Sequence, residues 1–408
     1  MAIRSGLYIG RGQREHLLDN ARAITRERRY YEFPIVDVDA HHMDTPIPEI
    51  APYLDEPWRR RFEAMRPSQL IPHDVGDRHV DGRTKRPHIA APAGDILPAV
   101  IYPFKVTAAQ LGIDCSVVFP TDMLALGLHP DAAFETAMAR AYARWMCERV
   151  LPHEPSVTSM LYLPFSDAEE SLRMVEEFSE RPGVVGFMVT SLRHQQVHDN
   201  RYMKVYAALE ERGSVLGFHS ISHWRERPFE LFNNFLSAHA LGFPFYNSIH
   251  LVNLVVNAIP ERFPGLRFVF FEGGVAYLPQ LLFRLDTAFM MRPSEVPGLK
   301  RKPSEYIREF YFSSQPLEWP DDLDELAAVF DMIHADSQLL YSSDYPHWDF
   351  DTPGQIYDLP FLREEQKRSI LGGNAIRLFR LGTRIESLMK LTRSRLDAGT
   401  ALTSTPEA

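Results

Sequence analysis

The chain has 408 residues, 45% of them hydrophobic, which is enough for a sizeable buried core in one large domain or two ordinary ones. Its net charge of −10 and pI near 5.9 argue against a nucleic-acid-binding surface, because such surfaces carry an excess of basic residues. With two cysteines and no apolar run of about 18 residues, the sequence predicts a cytoplasmic globular protein whose partner is a small-molecule substrate, without an export signal or a membrane span.

The two ends of the chain and one internal stretch differ in composition from the rest. Residues 1–32 are charged, and we expect them to form an N-terminal helical arm. Residues 43–110 are rich in proline and interrupted by glycine, a pattern typical of an insertion or lid when it occurs inside a compact chain. Residues 386–408 end in DAGTALTSTPEA and predict a flexible C-terminal tail. The remaining domain is assigned to residues 33–385.

Short apolar or β-branched runs predict eight strands. They cover residues 33–39, 115–120, 157–163, 183–189, 214–219, 266–272, 310–314 and 339–343. Helical patterns lie between them, at residues 131–151, 167–181, 201–213, 247–263, 276–289 and 321–333. This alternation predicts parallel βαβ units of the α/β class, and eight strands favour a closed (β/α)8 TIM barrel over an open sheet. An open doubly wound sheet would also require a glycine-rich phosphate loop after the first strand, where DVDAHHMD stands instead.

Polar side chains stand where four of the predicted strands end, the edge of a barrel that lines the active site. They are Asp39 and His41 on the first strand, His219 on the fifth, Glu272 on the sixth, and Asp344 and His347 on the eighth. Asp39 and His41 are two residues apart, so strand alternation points both to one face. Taken alone, an Asp here is more often a helix cap than a ligand, and a His more often a hydrogen-bonded core residue. Their coincidence on four strands predicts a metal site.

The same residues carry a family resemblance. VDVDAHHMD, GFHS, FPGLRFVFFEGGVAYLPQLLFRLD and LLYSSDYPHWD followed by ILGGNAIRLFRL resemble the amidohydrolase-related superfamily of metal-dependent TIM barrels, over residues 33–381. Members with His-x-His on the first strand differ from this chain, which has Asp39-x-His41. Val189 and Thr190 stand where the resemblance would place a metal-bridging lysine. These departures argue against ordinary amide or ring hydrolysis.

Two branches of the superfamily fit these departures. The Glu-Gly-Gly and Ser-Asp-Tyr-Pro-His sequences resemble those of dinuclear-iron or iron–manganese oxygenases, which implies the oxygenase component of a monooxygenase with two divalent ions, iron or iron and manganese. Six candidate ligands exceed the three or four that one zinc needs, and mixed oxygen and imidazole donors suit iron or manganese. The other branch is that of the aromatic-acid decarboxylases, which resembles this chain in having an acidic residue before x-His and usually binds one metal. The alternative is therefore a metal-dependent hydrolase or decarboxylase with a single zinc or manganese. A non-catalytic partner subunit is the third interpretation.

The resemblance to the oxygenases also implies partners and roles. The substrate would be a small carboxylic acid, an amino acid or a coenzyme A thioester, and a ferredoxin or reductase would donate electrons. Asp39, His41 and His219 would anchor one ion. The other three ligands would complete or bridge to the second ion and take part in catalysis: Glu272, Asp344 and His347. Loop residues on the same side are predicted to contact substrate: His194, His223 and Trp348. The charged arm and the apolar stretch SIHLVNLVVNAI predict a homo- or hetero-oligomer, with a homologous chain as a candidate subunit.

Overall fold

The computed structural model describes residues 13–42, 46–64, 94–191, 195–221, 229, 231–347 and 349–398. Within them, parallel strands pair in chain order to form one eight-stranded sheet. The strands are β1 (Val36–His42), β2 (Cys115–Pro120), β3 (Val157–Tyr162), β4 (Val184–Val189), β5 (Val215–His219), β6 (Arg267–Phe271), β7 (Tyr311–Ser313) and β8 (Leu339–Leu340). The chain beyond β8 closes on β1 through the parallel bridge between Ala40 and Tyr345. The predicted (β/α)8 TIM barrel is confirmed, and each predicted strand coincides with an observed one.

Helices surround the barrel and cover its ends. The α-helices of the described residues are α1 (Gln13–Glu27), α2 (Ile47–Ile50), α3 (Trp58–Glu63), α4 (Tyr102–Leu111), α5 (Ala132–Trp145), α6 (Ala168–Phe178), α7 (Met203–Arg212), α8 (Phe235–Val256), α9 (Ile259–Arg262), α10 (Leu278–Met291), α11 (Pro303–Ile307), α12 (Leu323–Met332), α13 (Ala335–Gln338), α14 (Gly354–Tyr357), α15 (Glu364–Arg368), α16 (Asn374–Leu378) and α17 (Gly382–Ala398). Single π-helical turns follow α5 and α15, at Met146–Val150 and Ser369–Gly373. Among the described residues, no helix is both long and apolar enough to cross a bilayer.

Several helix boundaries follow from local sequence signals. The Asp131 carboxylate accepts the Phe134 N–H at 3.2 Å and starts α5. Asp167 caps α6 in the same way, accepting the Glu170 N–H at 2.9 Å. Gly213 ends α7 in the left-handed conformation, with φ of 59°. These caps satisfy backbone groups that a helix end leaves without partners.

Helix α8 differs from its prediction, since it begins at Phe235 and not at residue 247. The Asn234 side chain caps this earlier start by accepting the Ser237 N–H at 2.9 Å. The helix continues through Pro244, a residue type that usually interrupts a helix interior. The apolar packing of the long helix on the barrel overrides the local preference of the proline.

The N-terminal helix packs against its own barrel. Helix α1 lies on α4, and the Thr25 hydroxyl donates to the Gln110 carbonyl at 2.7 Å. Helix α4 itself connects β1 to β2, so the end of the expected insertion, residues 94–110, belongs to the barrel domain. Of the rest of that insertion, residues 43–45 and 65–93 lie outside the described residues.

The C-terminal segment is helical over part of the stretch that was predicted to be a flexible tail. Helix α17 runs to Ala398, so the prediction that flexibility begins at residue 386 is wrong up to that point. Leu388, Thr392 and Leu396 recur at a four-residue spacing and are buried, which is the signal of a packed helix face. Arg395 also pairs with Glu154 at 2.8 Å. Residues 399–408 lie outside the described residues.

The barrel interior below the strand ends is filled by large side chains. A Cβ at Gly217 would lie 2.6 Å from the Phe271 ring and 3.0 Å from the Met160 methyl. The same methyl would lie 2.9 Å from a Cβ at Gly186. Glycines on β4 and β5 therefore make room for the side chains of a packed layer.

Candidate metal centre

Four of the predicted ligands meet at the carboxyl ends of β1, β5 and β8. The His41 Nε2 atom lies 3.1 Å from Asp39 Oδ1 and 3.2 Å from Asp344 Oδ1. The His219 Nε2 atom lies 3.2 Å from Asp39 Oδ1 and 3.2 Å from His41 Nε2. All four side chains are fully buried. Strands that are distant in sequence thus place Asp39, His219 and Asp344 each within 3.2 Å of the His41 Nε2 atom.

The other two predicted ligands lie at the edge of this group. Glu272 Oε2 is 3.7 Å from His219 Nε2. His347 Nδ1 is 2.6 Å from Asp344 Oδ1, and its Nε2 is 3.1 Å from the Thr121 hydroxyl. The six residues form two overlapping groups of donors, Asp39 with His41 and His219, and His41 with Glu272, Asp344 and His347. The structure therefore brings together all six residues that the sequence predicted.

The donor set fits a divalent metal ion. Asp39 Oδ2, Glu272 Oε2 and Asp344 Oδ2 are buried, and within the described residues none of them has a hydrogen-bond partner. A buried, ionised carboxylate oxygen without a hydrogen bond destabilises the folded state unless a cation compensates its charge. Separations near 3.2 Å are those expected between neighbouring donors that each bind one ion at about 2.1 Å. Imidazole and carboxylate donors together suit zinc, manganese or iron.

The electrostatics of these side chains supports the same conclusion. Burial raises the pKa of Glu272 well above its ordinary value, and the charges of Asp344 and Asp39 raise it further. Burial would also raise the pKa of Asp39, but the imidazoles of His219 and His41 hold it below the usual range. For His41, burial lowers the pKa and the adjacent carboxylates more than offset that effect. The carboxylates thus depend on nearby positive charge, which a metal ion would supply more strongly.

The backbone is unusual at two of these residues. Glu272 and Asp344 adopt left-handed conformations, with φ of 51° and 56°. Such conformations are rare for residues other than glycine and concentrate at functional sites. Hydrogen bonds hold both: the Glu272 N–H donates to the Ser313 hydroxyl at 2.9 Å, and the Asp344 N–H to the Asp39 carbonyl at 2.7 Å. The surrounding barrel therefore fixes the direction of each carboxylate.

Packing explains the two glycines that follow Glu272. A Cβ at Gly273 would lie 2.5 Å from the Asn247 amide nitrogen, which donates to the Phe271 carbonyl. Gly274 has a φ of 62°, and a Cβ there would collide with the Glu318 carboxylate. Only glycine fits this turn without displacing its neighbours.

Sequence reasoning missed some residues around the centre. Thr121 follows β2 and contacts His347, but its sequence context carries no distinctive signal. Asp349 lies in the same loop as Asp344, with its carboxylate 3.5 Å from His239 Nε2 on α8. Burial raises the pKa of Asp349. The predicted substrate contacts His194, His223 and Trp348 lie outside the described residues.

A (β/α)8 barrel with imidazole and carboxylate donors at its carboxyl-terminal strand ends defines the class of metal-dependent TIM-barrel enzymes. The sequence matches the amidohydrolase family over residues 36–381. The chain belongs to that family, as its resemblance to the superfamily predicted.

Solved structures share the fold at low sequence identity. The 5-carboxyvanillate decarboxylase of Sphingomonas paucimobilis is 19% identical with a TM-score of 0.64, and the match covers 85% of this chain and 99% of that one. An amidohydrolase of Mycobacterium avium subsp. paratuberculosis K-10 is 19% identical with a TM-score of 0.66 and the same coverage. A dihydroxybenzoic acid decarboxylase of Polaromonas sp. JS666, with bound manganese and 2-nitroresorcinol, is 18% identical with a TM-score of 0.57, covering 86% and 98%. At these identities the likeness shows the shared barrel fold.

Proposed function

We propose that the protein is a metal-dependent decarboxylase of a small carboxylic acid. One divalent ion, manganese or zinc, would be held by the four central donors, Asp39, His41, His219 and Asp344. The observation that carries the proposal is a fully buried cluster in which Asp39, His219 and Asp344 each place a donor atom 3.1 to 3.2 Å from His41 Nε2, a separation that suits neighbouring ligands of one ion. The likeness to decarboxylases of carboxyvanillate and dihydroxybenzoate supports a hydroxylated aromatic acid as the substrate class.

The reaction requires one proton for each carboxylate that is lost. Cleavage of the carbon–carbon bond releases carbon dioxide and leaves an electron pair on the substrate carbon, which a proton must then take up. A divalent ion at the four donors would act as a Lewis acid toward the oxygens of the substrate. Glu272 and His347 lie beside those donors and are the residues that we propose carry the proton. Burial of the site excludes bulk water from the bond that breaks.

Product analysis under anaerobic conditions tests the proposal. Metal-stripped protein would be loaded with Mn²⁺ or Zn²⁺, its metal content measured, and a panel of hydroxybenzoates incubated with it in the absence of oxygen. We expect about one ion per chain. We also expect carbon dioxide and the decarboxylated phenol in equal amounts.

A matched pair of variants provides the control. Asp344→Asn should abolish product formation, because it replaces a charged donor. Ser342→Ala should keep product formation, since among the described residues the Ser342 hydroxyl accepts the Gln315 N–H, at 2.9 Å, and bonds to none of the candidate ligands. Turnover that requires oxygen and a reductant would contradict the decarboxylase.

A dinuclear monooxygenase is the second candidate. The observation in its favour is the presence of six donors in two overlapping groups, more than one ion needs. Two irons, or iron and manganese, would then occupy the centre, and a ferredoxin or reductase would supply electrons. Two metal ions per chain, with oxygen consumption coupled to reductant oxidation, would establish this candidate in place of the first.

We also propose that the chain forms an oligomer. Leu241, Phe245 and Ile249 recur at a four-residue spacing on α8 and are 54%, 40% and 39% exposed. An exposed apolar stripe of this kind is typical of an interface between protein subunits. Light scattering should give more than one chain mass at micromolar concentration, and a monomer would contradict the proposal.

A further inference from the structure

Asp37 lies on β1, two residues before Asp39, and is 1% exposed. Its Oδ1 atom accepts the Ser343 N–H at 2.8 Å and the Asp39 N–H at 3.2 Å. Its Oδ2 atom accepts the Ser343 hydroxyl at 2.5 Å. Every one of these bonds therefore goes to a ligand of the centre or to the residue beside one.

Ser343 is the base of the loop that carries the eighth-strand ligands. Its carbonyl accepts the Asp351 N–H at 2.8 Å, which brings the far end of loop 344–350 back to its start. Its hydroxyl accepts the Tyr345 N–H at 3.0 Å while donating to Asp37. Both ends of the loop therefore meet at one residue, and Asp37 holds that residue through two bonds.

We propose that Asp37 is a positioning residue of the metal centre. By fixing Ser343, it holds loop 344–350 so that Asp344 and His347 face the ion bound by β1. A carboxylate suits this role because its two oxygens accept both donors of Ser343 at once, which an amide cannot do in the same arrangement. The inference rests on the metal site and not on the proposed decarboxylation.

Metal affinity of the full chain tests the role of Asp37. Mn²⁺ would be titrated calorimetrically into metal-stripped wild type, Asp37→Asn and Asp114→Asn. Asp114 is the matched control: it is also 1% exposed and accepts a backbone N–H, that of Ile35 at 3.0 Å, but it lies at the start of β2, away from the loop. We expect Asp37→Asn to weaken Mn²⁺ binding by about 10- to 100-fold, the usual effect of removing a partner that orients metal ligands. Asp114→Asn should bind as wild type does.

A second pair separates positioning from general stability. Ser343→Ala should weaken Mn²⁺ binding, whereas Ser342→Ala should not. The double variant Asp37→Asn/Ser343→Ala should bind no worse than the weaker single variant, because both changes break the same contact. An Asp37→Asn protein with a lower melting temperature but wild-type Mn²⁺ affinity would overturn the proposal. If that variant does not fold, wild-type affinity in Ser343→Ala would overturn it equally. Since no substrate enters these measurements, the outcome is independent of which reaction the enzyme catalyses.

Discussion

Glu272→Gln removes one of the three carboxylates among the candidate ligands while keeping the size of the side chain. Glu272 is 3% exposed, and its Oε2 has no hydrogen-bond partner among the described residues. In the metal-free protein, burial and the charges of Asp344 and Asp39 disfavour the ionised form. Leaving a buried polar group unsatisfied costs about 1–3 kcal/mol, more for a charge. We therefore expect the metal-free variant to be more stable than wild type at neutral pH, by about 1–3 kcal/mol.

The pH dependence of this difference follows from the direction of the pKa shift. Because folding raises the pKa of Glu272, the proton is held more tightly in the folded state. The stability that this provides is complete below the unfolded pKa and is lost as pH rises through the folded one. Glutamine does not titrate, so its advantage should grow with pH. Chemical denaturation of chelator-treated proteins at several pH values would measure it.

Added metal distinguishes a ligand from a proton carrier. An ion that binds only the folded state stabilises it by about 2.7 kcal/mol at a concentration one hundred times its Kd. If Glu272 is a ligand, Mn²⁺ should raise the free energy of unfolding of the wild type more than that of Glu272→Gln. If Glu272 only carries a proton, Mn²⁺ should stabilise wild type and Glu272→Gln equally, and the variant should lose only turnover. A metal-free variant that is less stable than wild type at neutral pH would refute the reasoning about buried charge.

Three further predictions concern the centre and its surroundings. Asp344→Asn should weaken Mn²⁺ binding about 100-fold or more in calorimetry, since breaking a buried charged contact costs about 3–5 kcal/mol. Gly273→Ala should lower stability by about 1–3 kcal/mol in denaturant unfolding, because its Cβ would lie 2.5 Å from the Asn247 amide, while Gly382→Ala, with no atom within 4 Å of its Cβ, should be neutral. Burial raises the pKa of Asp114 to about 7. Wild-type unfolding free energy should therefore fall relative to Asp114→Asn between pH 4 and 7, by about 1.4 kcal/mol per pH unit, and an unchanged difference would contradict this.

The candidate ligands could be predicted because each lies in the carboxyl-terminal part of its strand or in the loop that follows it. A polar residue after an apolar run is a local signal, and the parallel barrel places all such positions at one edge. His42 could also be interpreted locally: strand alternation turns it away from His41, and its Nε2 lies 2.9 Å from the Tyr142 hydroxyl on α5. The strand period and the position of each residue relative to its strand were sufficient to predict where these side chains lie.

The contacts that orient the ligands could not be predicted in the same way. Asp37 and Ser343 are 306 positions apart, and Thr121 and His347 are 226 apart. No local pattern specifies which residues meet across the closure of the barrel. Strand alternation places Asp37 on the same face as Asp39. It does not indicate that Asp37 holds Ser343 and positions the ligands, as opposed to being a buried acid without that role.

The number of ions and the class of reaction depend on the same residue. Asp39, Asp344 and Glu272 together carry three negative charges when ionised, and one divalent ion balances two of them. The third carboxylate must then hold a proton, pair with a protonated histidine such as His347, or meet a second cation, because an uncompensated buried charge is unfavourable. A protonated Glu272 has the proton that decarboxylation requires, whereas an ionised Glu272 beside a second ion is what a dinuclear oxygenase requires. Measuring whether Glu272→Gln changes the metal content of the chain therefore tests both the stoichiometry and the chemistry.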